Sequence, residues 1–198
     1  GYVDFVVNEK TIGRARIRVA PQLPVKQDFD KVPIGAAPGG WVNTMGKFNV
    51  VKKGEETVLR KLANNPTPPV ARANGFIGLP EWADYTIQAD VSAEEIRGAA
   101  PDFGILNARY HLLLDGRVDP VKNKRQLRLT SWEARPRINE SIDFDWKKDT
   151  WYTLKLTVEP HGKTAVIRGK VWERGQAEPA KWSIEFTDPS PNLNGAPA

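Results

Sequence analysis

Seven side chains near the middle of this 198-residue chain could together meet a polyhydroxylated ligand: Gln88, Asp90, Asn107, Arg109, His111, Arg128 and Trp132. Amides, a carboxylate and guanidiniums supply planar, multivalent donors and acceptors of the kind hydroxyl groups require. An indole adds a flat apolar plate for C–H faces and keeps its N–H free to bond. A saccharide asks for that combination. The grouping follows from strand alternation, which sends successive side chains to opposite faces. Across 106–114, Leu106, Ala108, Tyr110, Leu112 and Leu114 share one side, and Asn107, Arg109 and His111 the other. Across 126–132, Leu127 and Leu129 oppose Gln126, Arg128, Thr130 and Trp132. Across 85–91, Thr86, Gln88 and Asp90 oppose the apolar half. If the three runs are neighbours, their polar halves line one surface. The competing reading makes Arg109 and Asp90 a cross-strand ion pair and Trp132 a packing residue.

Other chemistry finds fewer candidates. Glycoside hydrolysis needs two carboxyl groups about 5 to 9.5 Å apart across the scissile bond. The nearest approach is Glu140-Ser-Ile-Asp-Phe-Asp145, with Asp143 and Asp145 on one face and no matching glutamate, and it reads as a strand end or turn. Asp90 could pair with Glu133, but alternation puts Glu133 opposite Trp132. Asp28 and Asp30, with Asp188, offer the oxygen ligands a structural calcium ion would want. There is no cysteine, and the only histidines are His111 and His161, which excludes thiolate sites, disulfides and an all-histidine zinc centre. The net charge is +5, but 24 acidic residues are interspersed with 29 basic ones, the pattern of a solvated surface and not of a nucleic-acid footprint. The basic stretch 117–125 lacks interleaved aromatics and reads as a hairpin tip. No phosphate-cradling glycine loop, serine elbow or apolar run long enough for a membrane span occurs.

These residues must sit on strands. Sixteen prolines, sixteen glycines and seven tryptophans separate short alternating runs, which predicts an all-β, two-sheet antiparallel β-sandwich. Only 92–100 could hold a helical turn or two. Runs at 2–7 and 14–19, joined by 8–13, predict a hairpin that must pack on something, because an isolated one is marginal in water. Ala20-Pro-Gln-Leu-Pro24 is a stiff connector.

The segment Arg16-Ile-Arg-Val-Ala-Pro-Gln-Leu-Pro24, followed by Asp28-Phe-Asp30, resembles a junction in large secreted bacterial proteins, often β-propellers. There an immunoglobulin-like domain hands over to a C-terminal jelly roll. Further on come Trp41 with Gly46-Lys-Phe-Asn-Val50, then Trp82-Ala-Asp-Tyr-Thr-Ile-Gln-Ala-Asp-Val91 and Phe103-Gly-Ile105. Asp149-Thr-Trp-Tyr-Thr-Leu-Lys-Leu-Thr-Val158, Gly169-Lys-Val-Trp172 and Trp182-Ser-Ile-Glu185 complete the series. In that order the motifs are similar to the concanavalin A-like lectin/glucanase superfamily, in its laminin G-like and 3-keto-disaccharide hydrolase-like branches.

The resemblance implies a hairpin remnant of a preceding domain plus linker over 1–24. It implies a concanavalin A-like jelly roll over 25–198, without its closing strand. It also implies a carbohydrate-binding or adhesion module, without catalytic residues, of a larger exported protein, placed in the periplasm, at the cell surface or outside the cell. The expected partners are a glycan or polysaccharide and neighbouring domains of the parent protein, with calcium as the one possible cofactor. Two alternatives stay open: a glycoside hydrolase acting on a β-glucan or keto-disaccharide in the same groove, and a structural docking domain of a larger assembly.

Overall fold

The computed structural model describes residues 1–62, 73–96, 98–133 and 136–198. The described chain is all-β, and it packs as two compact units, Gly1–Leu79 and Pro80–Ala198. None of its elements is a helix long and apolar enough to cross a membrane.

The first unit holds two hairpins. Strands β1 (Tyr2–Val7) and β2 (Lys10–Arg16) pair antiparallel. The connection is tighter than the expected 8–13 loop, because Asn8 and Glu9 both take left-handed backbone angles (φ 47° and 64°) and close a two-residue turn. A register shift between Phe5 and Val6 absorbs the extra residue. Every residue of β1 is exposed. Strands β3 (Phe48–Lys53) and β4 (Glu56–Lys61) form the second hairpin, turned at Gly54, and a single bridge joins Val42 to Phe76.

The second unit is the sandwich. Its strands are β5 (Thr86–Val91), β6 (Phe103–Asn107), β7 (Tyr110–Leu114), β8 (Gln126–Ser131), β9 (Asn139–Asp143), β10 (Tyr152–His161), β11 (Thr164–Glu173) and β12 (Ile184–Asp188). One antiparallel sheet runs β12-β11-β10-β5 and the other runs β6-β7-β8-β9. The eight strands of these two sheets lie within 86–188, and the described residues of 25–79 add no strand to either.

Alternation builds the core. Leu112, Leu114, Leu127 and Leu129 from one sheet and Leu154, Leu156 and Ile167 from the other are fully buried in a common cluster with Trp146. Each such side chain contributes roughly 1.5–3 kcal/mol of transfer free energy. The stretch 140–145, expected as a strand end or turn, holds the greater part of β9 and its end. Because β9 is an edge strand with only Ile142 turned well inward, it carries no apolar alternation to mark it. The expected helical turns at 92–100 are absent from the described residues, and an Ile96–Ala99 bridge stands in their place. The free side of β6 is partly covered, since Leu106 and Ala198 exchange both backbone hydrogen bonds, at 2.7 and 3.1 Å.

Candidate functional site

The site begins at a turn that alternation alone does not reveal. β6 ends at Asn107, β7 starts at Tyr110, and Ala108 and Arg109 between them have φ of 44° and 77°, the left-handed pair of a two-residue hairpin turn. Neither residue is glycine or asparagine, so the conformation costs about 1–2 kcal/mol per residue and must be imposed from outside. Asn107, 1% exposed, does part of this by donating from Nδ2 to the carbonyls of Tyr85 (2.9 Å) and Leu156 (3.1 Å). The Tyr85 hydroxyl accepts from the Ala108 amide (3.2 Å) and donates to the Gly195 carbonyl (2.8 Å). Burial raises the pKa of that phenol to about 12.

The turn reverses the expected facing. Asn107 pairs with Tyr110 and Leu106 with His111, so Asn107 points into the core and is not a surface contact. Arg109 sits in the turn itself. His111 remains on the outer face of its sheet, beside Thr130 on β8, which is in turn paired with Asn139 on β9. Trp132 follows β8, and its amide donates to the Arg109 carbonyl at 2.7 Å, tying the end of β8 to the turn. The indole is 39% exposed. The His111 ring meets it edge-on at 5.8 Å between centroids, and the Arg109 guanidinium lies 6.0 Å from its centre. Arg109, His111 and Trp132 therefore form one surface cluster.

The other expected contacts lie elsewhere. Gln88 and Asp90 are on β5, in the opposite sheet, facing away from the core in register with Lys155 and Thr153. Asp90 accepts from the Thr153 hydroxyl at 2.7 Å and lies 3.9 Å from Arg174, so the alternative Arg109–Asp90 pair does not form. Arg128 shares the outer face with His111, but Asp102 (3.1 Å) and Asp115 (3.6 Å) hold its guanidinium. Burial pushes the Asp102 pKa up, yet the Gly116 amide, Asp115 and the Arg128 and Arg117 charges outweigh it and keep the pKa low. A single groove lined by all seven residues is thus not present. Thr130, placed on this face by alternation, is 8% exposed, and Asn139, its partner on β9, is a neighbour that only cross-strand pairing could have shown.

The acids considered for hydrolysis have other surroundings. Asp143 pairs with Lys122 at 2.8 Å, Glu133 with Arg137 at 2.9 Å, and Asp90 belongs to the other sheet. Among the described residues, no group of three or more His, Cys, Asp or Glu side chains suited to a metal occurs.

Asp188 has a different job. It is fully buried, and its carboxylate accepts from both Arg137 terminal nitrogens (2.8 and 3.0 Å), the Tyr110 hydroxyl (2.6 Å) and the Ser190 amide (2.9 Å). Burial opposes the charge, but Arg137 and Tyr110 prevail and hold the Asp188 pKa down. The Tyr110 phenol is raised, by burial first and by the neighbouring carboxylate second. Arg137 also bonds Glu133, and Ser131 Oγ accepts from the Arg137 and Ile138 amides. This clasp fixes the far side of the segment that begins at Trp132. Comparison with known proteins finds no matching family model, no matching curated protein and no matching solved structure.

Proposed function

We propose that this chain is a non-catalytic carbohydrate-binding or adhesion module of a larger exported protein, and that the glycan contact is the compact surface around Trp132. The observation that carries this is a tryptophan 39% exposed with a guanidinium 6.0 Å and an imidazole 5.8 Å from its ring, and Asn139 exposed on the neighbouring edge strand. The indole offers a plate for a sugar ring, and the surrounding groups offer donors and acceptors for its hydroxyls. One platform with a few polar contacts corresponds to a dissociation constant of roughly 1 mM for a monosaccharide, and repeated units would strengthen it through avidity. The test is a glycan array followed by NMR titration of the indole N–H signals. Binding lost in Trp132→Ala and weakened in Arg109→Ala supports the reading. Retention by the double variant, or no glycan bound by the wild type, refutes it.

A second reading, docking against another polypeptide, is favoured by the β1–β2 hairpin. Tyr2 (65%), Phe5 (54%), Val6 (57%) and Ile12 (68%) are all exposed. Apolar exposure on that scale marks an interaction surface. Replacing Phe5 and Ile12 by serine should abolish self-association or capture of a neighbouring domain, and unchanged association would count against docking.

A further inference from the structure

Resting on the carbohydrate reading above, we infer that the glycan met at Trp132 is acidic: it contains a uronic acid, whose carboxylate pairs with the Arg109 guanidinium.

The charge balance around the indole sets Arg109 apart. Arg128, on the same sheet face, is neutralised by Asp102 and Asp115, and Arg137, just before β9, by Asp188 and Glu133. Glu133 follows Trp132 in the chain, but its carboxylate is already engaged in that pair. Glu140 lies in register with Leu129, a core residue, so it is directed to the other side of the sheet from Asn139. Arg109 is exposed, and no carboxylate among the described residues pairs with it. No hydrogen bond from its five N–H donors reaches another described residue. Its contact with the indole, at 6.0 Å, stands at the limit of a cation–π interaction, so the ring holds the guanidinium only weakly.

The backbone keeps the two groups side by side. The Trp132 amide donates to the Arg109 carbonyl at 2.7 Å, so the indole and the guanidinium spring from hydrogen-bonded residues. A ring resting on the indole therefore brings its edge toward an unneutralised cation, and a pair anchored beforehand loses little entropy on binding.

A uronic acid matches this arrangement. Its C–H face stacks on an indole, and its carboxylate leaves the ring edge as two oxygens in one plane, the shape a guanidinium fork accepts bidentately. A neutral sugar presents only hydroxyls there and leaves the charge uncompensated. A phosphorylated sugar carries up to two charges and would call for a second cation, yet Arg128 and Arg137 are held by acids of the chain itself. Asn139 is exposed and lies two strand spacings, about 10 Å, from His111. A ligand that touches both ends of that row is an oligosaccharide.

The experiment titrates the whole chain with oligosaccharides of galacturonate, mannuronate and glucuronate, each beside its carboxyl-reduced neutral counterpart, and follows the indole N–H signals by NMR. At least one acid should bind about 3- to 10-fold more tightly than its reduced form, the scale of a partly exposed charge-assisted contact. Raising the salt from about 0.01 M to about 1 M should erase most of that preference, because an exposed pair is screened. Arg109→Gln should make the acid and its reduced form bind alike, and Arg109→Lys should restore part of the difference. Equal binding of the two forms by the wild type, or a preference that survives Arg109→Gln, overturns the acidic assignment and leaves the carbohydrate reading in place. So does a neutral glycan bound on the array when none of the acids binds, whereas a blank array overturns both.

Discussion

Replacing Asp188 by asparagine removes the charge on which Arg137, Tyr110 and Ser190 converge, and the structure sets the size of the effect. Two of the four lost or altered contacts are charge-assisted bonds from Arg137, at 2.8 and 3.0 Å. Bonds of that type contribute about 1.5–3 kcal/mol each when shielded. The shielding is one-sided, because Asp188 is fully buried while the Arg137 side chain is 35% exposed and can recover water once released. The cost therefore falls between that of an exposed pair, below about 1 kcal/mol, and that of a sealed one, about 3–5 kcal/mol. Asparagine keeps one oxygen for Tyr110 or Ser190 but turns its amino group toward the guanidinium, so about 2–4 kcal/mol is expected. With a urea dependence of about 2 kcal/mol per molar, the unfolding midpoint should drop by roughly 1–2 M. Arg137→Met and Tyr110→Phe, made singly and together, should prove non-additive, because both act on the same carboxylate. A loss under about 1 kcal/mol for Asp188→Asn, or strict additivity in the cycle, would refute the clasp.

Asn107→Ala strands the two carbonyls that its amide satisfies and opens a small cavity, so it should cost about 2–4 kcal/mol in urea unfolding. A surface ligand contact would instead change binding with stability intact. Arg109→Gly should leave stability unchanged or raise it by up to about 1 kcal/mol, because φ of 77° no longer opposes a side chain, yet glycan titration should show weaker binding. Acid should destabilise the fold. The folded pKa values of Asp188 and Asp102 lie below those of the unfolded chain, so their contribution is present above about pH 4 and is lost as pH falls through the folded values. Thermal melts of Asp188→Asn should show a flatter acid limb. Alkali acts in the opposite sense through Tyr85: its phenol is raised to about 12, so its contribution holds below about pH 10 and disappears between there and pH 12, a limb that Tyr85→Phe should make shallower while the raised Tyr110 phenol sustains the rest.

Much of the sandwich could be read from residue order. The alternation of Leu112, Leu114, Leu127 and Leu129 marks their faces as core, and all four are fully buried. The motif Gly169-Lys-Val-Trp172 lies within β11. That legibility has a local cause: a period of two is written in neighbouring residues, and burial of one face enforces it. What failed was non-local. The run 106–114 reads as one strand because nothing in Ala108-Arg109 signals a turn, and the left-handed angles there are stabilised by Asn107, whose amide reaches the Tyr85 and Leu156 carbonyls, and by the distant Tyr85 hydroxyl, which accepts from the Ala108 amide. A two-residue turn pairs odd-numbered residues with even-numbered ones, so Asn107 passes inward while His111 stays outside. In the same way, Gln88 and Asp90 point outward as alternation requires, but β5 hydrogen-bonds to β10 and joins the other sheet. Strand faces follow from the chemistry of adjacent residues. Which strands share a sheet, and so which side chains meet at Trp132, depends on backbone pairing between segments far apart in the chain, and no short-range pattern records that choice.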